Sequence, residues 1–191
     1  MSFYSQTELE KLGFAGLGRN VKLSRLASIH NPSSIFLGDF VRIDDFCVIS
    51  AGEGGIDIGR NVHIAVSSVV MGAGPIKICE FAGLSSRVTI YSSNDDYSGE
   101  WMTNPTLPMK YTRVCSAPVR IGRHVIVGAG SIVLPGVSMG DGSGTGAFSL
   151  IKADCDSLGM YAGCPAKKIG ARSNRIFELE SAYLKEILNH Q

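Results

Sequence analysis

The sequence predicts an all-β solenoid, a parallel β-helix of triangular cross-section with a short N-terminal helix and a longer C-terminal one. Three observations predict it. Apolar residues recur at every sixth position, a small residue often follows each of them, and interruptions of the period fall after every third unit. The anchors run Leu17, Leu23, Ile29, then Leu37, Ile43, Ile49, then Ile58, Ile64, Val70, then Ile78, Leu84, Ile90. After a break they resume at Ile121, Val127, Val133, Met139 and Ile151, with Thr145 as the one polar residue in the series.

A six-residue unit holds one short strand and a turn, so three units make one coil. Glycines beside the anchors, as at Gly18, Gly38, Gly59, Gly122 and Gly128, allow a tight corner that a side chain would obstruct. Spacing stretches to eight between Ile29 and Leu37, nine between Ile49 and Ile58, and eight between Val70 and Ile78. Every insertion therefore leaves from the same vertical edge, as does the longest, an external loop over residues 91–120. At strand spacing of ~4.8 Å, about six or seven coils make a rod on the order of 30 Å tall.

The 191 residues are expected to form a single domain. Residues 1–16 form an N-terminal cap, with a helix over 5–12 in which Ser5 and Glu8 have capping-box spacing and Gly13 is the stop. The β-helix occupies 17–170. A C-terminal helix follows over 173–190, with Ile176, Leu179, Tyr183, Leu184 and Ile187 along one face.

Composition narrows the partners. Eighteen basic residues stand against 17 acidic ones, without a block of either sign, which argues against nucleic-acid or membrane-surface binding. Only 18% of residues are charged and 23 are glycine, a balance suited to tight turns and to a surface partly covered by other subunits. The five cysteines, Cys47, Cys79, Cys115, Cys155 and Cys164, form neither a zinc-ribbon nor a disulfide pattern, and are read as reduced thiols of a cytoplasmic protein. No signal peptide and no membrane insertion are expected, because no apolar run approaches about 18 residues. His30, His63, His124 and His190 occupy different places in the period, so no metal site is expected.

Two further segments carry a resemblance. One is the run Val119-Arg120-Ile121-Gly122-Arg123-His124-Val125-Ile126-Val127-Gly128-Ala129-Gly130 after the long loop, and the other is the closing Tyr161-Ala162-Gly163-Cys164-Pro165-Ala166-Lys167. With the hexad register and the loop after Ile90, the chain resembles the left-handed β-helix, or hexapeptide-repeat, acyltransferases, most nearly their galactoside and maltose O-acetyltransferase branch. The resemblance implies a left-handed coil and a homotrimer whose three sites lie in grooves between subunits, with acetyl-CoA along the coils. It implies that Gly128, Ala129, Gly146 and Ala147 line the pantetheine channel, where small side chains let the cofactor approach the backbone. Without it, the four read as ordinary turn residues. Lys167, Lys168 and Arg172 lie where the chain leaves the last coil, where cations would meet the CoA phosphates or simply face solvent.

Acyl transfer to an alcohol needs a base for the acceptor O–H and donors for the oxyanion. The resemblance implies a histidine at the root of the long loop, yet the register puts Asp95 there and the loop contains no histidine. Three readings follow. Asp95, alone or with Asp96, is the base; His63, one coil below, supplies it; or the acceptor is an amine, which needs less help. An Asp95–His63 pair joins the first two and is preferred. Asn94, Asp96, Tyr97 and Trp101 are the expected sugar contacts. The expected function is transfer of acetyl from acetyl-CoA to a hydroxyl of a saccharide, a precursor of a surface polysaccharide. The alternatives are N-acylation of a nucleotide-linked amino sugar and a non-catalytic scaffold.

Overall fold

The computed structural model describes residues 2–188, so the end of the expected C-terminal helix, including His190, lies outside the described residues. Three parallel sheets wrap one apolar column. The first face holds Gly16–Leu17, Ile35–Leu37, Ile56–Ile58, Ile76–Ile78, Val119–Ile121 and Ser138–Met139. The second holds Lys22–Leu23, Arg42–Ile43, His63–Ile64, Gly83–Leu84, Ile126–Val127, Gly144–Thr145 and Gly159–Ala162, closed by the antiparallel strand Lys167–Ala171. The third holds Ser28–His30, Val48–Ala51, Val69–Gly72, Thr89–Tyr91, Ile132–Val133 and Leu150–Ile151. Successive strands pass from face to face, and each pairs with its counterpart one coil above. The result is a left-handed β-helix of about seven turns.

The six-residue period works because each anchor stacks on the next. Leu37, Ile58, Ile78, Ile121 and Met139 form one internal ladder, and Ile29, Ile49, Val70, Ile90, Val133 and Ile151 another. From Leu37 to Ile151 these residues are essentially inaccessible, whereas Leu17 and Ile29 at the open lower end are half-buried. Each fully buried aliphatic side chain contributes ~1.5–3 kcal/mol of transfer free energy. Thr145, the exception in the series, is also buried, and its Oγ1 accepts a hydrogen bond from the Gly128 N–H at 3.1 Å, so no core hydroxyl is wasted there.

The glycines beside the anchors do not make the left-handed turns. Those fall two residues later, on Asn20, Phe40, Asn61, Phe81 and His124 along the edge between the first and second faces, all with φ between +55° and +60°. The amides of Phe40, Asn61, Phe81 and His124 each donate to a carbonyl one coil below, which offsets the backbone strain. The glycines instead allow coils to touch: a Cβ on Gly38 would lie 2.7 Å from the Arg60 nitrogen.

The external loop spans 92–118, slightly less than expected, because Tyr91 still belongs to the third face and Val119 already to the first. Its base is an antiparallel pair, Ser93–Asp95 against Val114–Ser116. At the lower end α1 (Gln6–Glu10) is shorter than expected but carries the capping box, with the Ser5 N–H donating to Glu8 Oε2 at 2.8 Å, and Leu9 plugs the column. At the upper end α2 (Arg175–Leu188) folds back along the first vertical edge. There His124 stacks on Phe81 at 5.0 Å and donates from Nε2 to Glu180 at 2.9 Å, while Leu184 and Ile187 line one hollow with Arg19, Asn20 and Phe40 of the lower coils. Among the described residues no helix is long and apolar enough to cross a membrane.

Candidate active site

The edge between the second and third faces carries a strip of small residues. Ser85 and Ser86, Gly128 and Ala129, Gly146 and Ala147, then Ala162 and Gly163 lie one above another. Gly130 N–H donates to Ser86, Phe148 N–H to Ala129 and Leu150 N–H to Gly163 at 2.8–3.0 Å, knitting the coils through their corners. A Cβ on Gly128 would meet the Gly146 carbonyl carbon at 2.5 Å, so the approach exists only without a side chain. Gly128, Ala129, Gly146 and Ala147 are thus brought into one continuous surface on which backbone lies close to solvent.

The three basic residues above this strip differ in their surroundings. Lys167 sits exposed opposite Ala162 on the returning strand. Lys168 Nζ pairs with Asp156 at 2.8 Å. Arg172 turns inward, its Nη1 donating to the carbonyls of His124, Gly142 and Ser143 at 2.8–3.0 Å, which fastens the C-terminal segment to the solenoid.

At the loop root Asp95 is half-buried opposite Val114, and Asn94 faces Cys115. Asp96 accepts from both the N–H and the hydroxyl of Ser98. These bonds, aided by the charge of Arg113, hold its carboxyl below the usual range and make it a poor proton acceptor. Beyond it, Asp96, Tyr97, Trp101, Met102, Asn104 and Leu107 line an open hollow of about 640 Å³. The hollow, with its exposed Tyr97 and Trp101, adjoins the two acids.

His63 does not pair with Asp95 within the chain. Its Nε2 lies 2.8 Å from Asp44 Oδ2, and Asp44 Oδ1 accepts from Arg42 Nε at 2.7 Å. Burial of Asp44 works against its ionisation, but the hydrogen bonds from His63 and Arg42 outweigh it and keep the carboxyl below its usual range. The reason is topological: His63 is on the second face, while Asp95 leaves from the far edge of the third. Asp44 was missed, although the sequence marks it. After the second-face anchors stand Ser24, Asp44, Ala65, Ser85, Gly128 and Gly146, and Asp44 is the charged member.

No protein-family model matches the chain. A dTDP-4-amino-4,6-dideoxy-D-glucose acyltransferase from Escherichia coli is 49% identical over 183 residues, covering 96% of this chain and 95% of that protein. The chain belongs to the left-handed β-helix acyltransferases. An N-acyltransferase from Bacillus cereus, solved with dTDP and 3-hydroxybutyryl-CoA, superposes with a TM-score of 0.93 at 43% identity, over 97% of this chain and 98% of that one. A maltose O-acetyltransferase from Clostridium difficile shares the fold alone, with 18% identity and a TM-score of 0.59 over 88% of this acyltransferase and 75% of that chain. The expected placement in the galactoside and maltose branch is therefore corrected. High similarity runs to aminosugar N-acyltransferases, and the maltose enzyme shares only the solenoid that the hexad register describes.

Proposed function

We propose that this acyltransferase moves an acyl group from acyl-CoA to the amine of a nucleotide-linked amino sugar, replacing the hydroxyl acceptor expected from the sequence. The observation that carries the reading is the similarity along nearly the whole chain to a protein named for a dTDP-linked amino sugar. A form of the Bacillus cereus N-acyltransferase solved with dTDP-4-amino-4,6-dideoxyglucose and coenzyme A supports it. So does Asp95 at the place where a histidine was expected. Solved forms of that relative carry substitutions at a serine and at an aspartate ten positions further on. Ser85 with Asp95, and Ser86 with Asp96, have that spacing here. With Asp96 held by Ser98, Asp95 is the carboxylate left to act.

In this mechanism the neutral amine attacks the thioester carbonyl, forming the C–N bond. Asp95 hydrogen-bonds an amine N–H, orients the lone pair and takes the proton that the new bond makes acidic. Collapse breaks the C–S bond, and CoA leaves as a thiolate. The strip from Gly128 to Ala147 holds the pantetheine arm, Lys167 meets the CoA phosphates, and Tyr97 and Trp101 border the sugar.

The working unit is a homotrimer. The outward row of the third face supports this, since Val48, Val69, Ile132 and Leu150 present apolar side chains beside half-buried Thr89. Reduced thiols and two metabolic co-substrates fit a cytoplasmic setting. Purified protein should be given acetyl-CoA or 3-hydroxybutyryl-CoA with dTDP-4-amino-4,6-dideoxyglucose, or with the same nucleotide sugar bearing a hydroxyl at that carbon. Thiol release and an N-acylated product are expected with the amine alone, and the faster thioester identifies the acyl chain. Preferential acylation of the hydroxyl compound would overturn the reading.

A further inference from the structure

The outward row of the second face changes character along its length. From the lower end it reads Lys22, Arg42, His63, Gly83, Ile126, Gly144 and Met160, each residue paired with the next across adjacent coils. Three cation-capable side chains fill the lower half, and small or apolar residues the upper half. The change comes at Gly83, in the coil that carries Ser85 and from which the long loop departs.

The lower half is also unusually fixed. Asp44 is almost wholly buried, its side chain 6% exposed, and it receives both Arg42 and His63, whose own side chains are 42% and 49% exposed. A buried carboxylate is costly unless paired, and these two hydrogen bonds fulfil that condition. They also remove freedom from two exposed side chains, so that little ordering entropy remains to be lost when a ligand meets them. The Phe3 ring lies over the Arg42 guanidinium at 5.7 Å and restrains it further. Lys22, exposed one coil below Arg42, adds positive charge to the same row.

We propose that Arg42 and His63, held in place by Asp44 and joined by Lys22, form the diphosphate subsite for the nucleotide half of the acceptor. This rests on the reading that the acceptor is nucleotide-linked. The two substrates then approach the loop's coil from opposite ends of one face: CoA beside Ile126, Gly144 and Met160, the nucleotide beside Lys22, Arg42 and His63. His63 and Arg42 lie one and two coils below the loop, ~5 Å and ~10 Å along the axis. A hexose ring with its anomeric phosphate spans the shorter of these axial distances. Asp95 of the same chain leaves from the far edge of the third face, so the loop root that meets this row is that of a neighbouring subunit in the trimer. The Arg42 guanidinium supplies donors for phosphate oxygens; His63, whose Nε2 faces Asp44, meets them through Nδ1 as the imidazolium, and Asp44 is a positioning residue that touches neither substrate.

The test measures dTDP and CoA binding by calorimetry on the full-length protein and on Arg42→Gln, His63→Asn and Asp44→Asn, with KM and kcat for the amino sugar nucleotide. Affinity for dTDP should fall about tenfold or more in each variant, with CoA affinity and oligomeric state unchanged. KM for the nucleotide sugar should rise more than kcat falls. Wild-type dTDP affinity in both Arg42→Gln and His63→Asn would overturn the subsite while leaving the function intact. Equal weakening of CoA and dTDP would also overturn it, since that outcome assigns the row to a contact between subunits. If the unaltered protein bound CoA but no dTDP, the nucleotide-linked acceptor itself would fall, and the subsite with it.

Discussion

Gly128→Ala tests whether the coils are held together by the absence of side chains at their corners. The added Cβ would lie 2.5 Å from the Gly146 carbonyl carbon and 2.6 Å from the Ala147 nitrogen. Carbon atoms in contact prefer about 3.5–4.0 Å, so the coils must part by ~1 Å or the corner must twist. Overpacking of this kind costs ~1–3 kcal/mol. The same displacement stretches the 3.1 Å bond from the Gly128 N–H to buried Thr145 Oγ1, adding about 1 kcal/mol. A total of ~2–4 kcal/mol, at roughly 2–4 °C per kcal/mol for a chain of this length, lowers the midpoint by about 4–16 °C. Gly170→Ala is the control, because a Cβ there meets nothing within 4 Å, and its effect should stay within ~0.5 kcal/mol. Thermal melts by circular dichroism should be run at equal protein concentration, since subunit association shifts the midpoint. A Gly128→Ala protein melting within about 2 °C of the unaltered one would refute the close-approach argument.

Asp95→Asn should lower turnover of the amino sugar by about a hundredfold or more while CoA affinity holds; unchanged turnover in a steady-state thiol-release assay removes Asp95 from the chemistry. Burial of Asp141 opposes its ionisation, but hydrogen bonds from Arg120 and Arg123 outweigh it and hold its pKa below the usual range. Its stabilising contribution is therefore present above the unfolded value of about 3.9 and lost as pH falls through the folded one. Urea midpoints should drop between pH 6 and pH 3, and drop less in Asp141→Asn; identical pH profiles would contradict this. Burial pushes the Cys155 thiol up to about 11 and raises Cys47 and Cys79, whereas Cys115 and Cys164 are exposed. An aromatic disulfide reagent should label Cys115 and Cys164 in the native protein and the other three only after unfolding, with peptide mapping to identify the labelled sites.

The fold was legible because a solenoid repeats its physics. Each anchor from Leu23 to Ile151 sees the same column, so one period states the architecture many times over, and the insertions after Ile29, Ile49 and Val70 mark the edge. Left-handed turns at Phe40 and Phe81 were not legible, since an aromatic residue carries no signal for positive φ and is held there by hydrogen bonds to the coil below. The small-residue strip was legible from Gly128 and Gly146. The partner of His63 was legible only in outline: the register puts Asp44 just after Ile43 and His63 just before Ile64 on one face, but it does not say which acid the ring meets.

The similarity to an aminosugar acyltransferase favours the amine acceptor given as the alternative, and a sign of it stood in the sequence. An alcohol must surrender its proton as the new bond forms, so the enzyme needs a base whose pKa lies near the working pH, and a histidine at about 6.5 suits that task. A neutral amine can bond first and lose its proton afterwards, from a nitrogen made acidic by the bond, and a carboxylate suffices to receive it. The loop of residues 92–118 offers Asp95 and no histidine. The hexad register reports on how the chain folds, which a maltose O-acetyltransferase shares at 18% identity. In the proposed site the loop root is the part that meets the reacting nitrogen, so the one side chain at Asp95 bears more directly on the chemistry than the periodic remainder does.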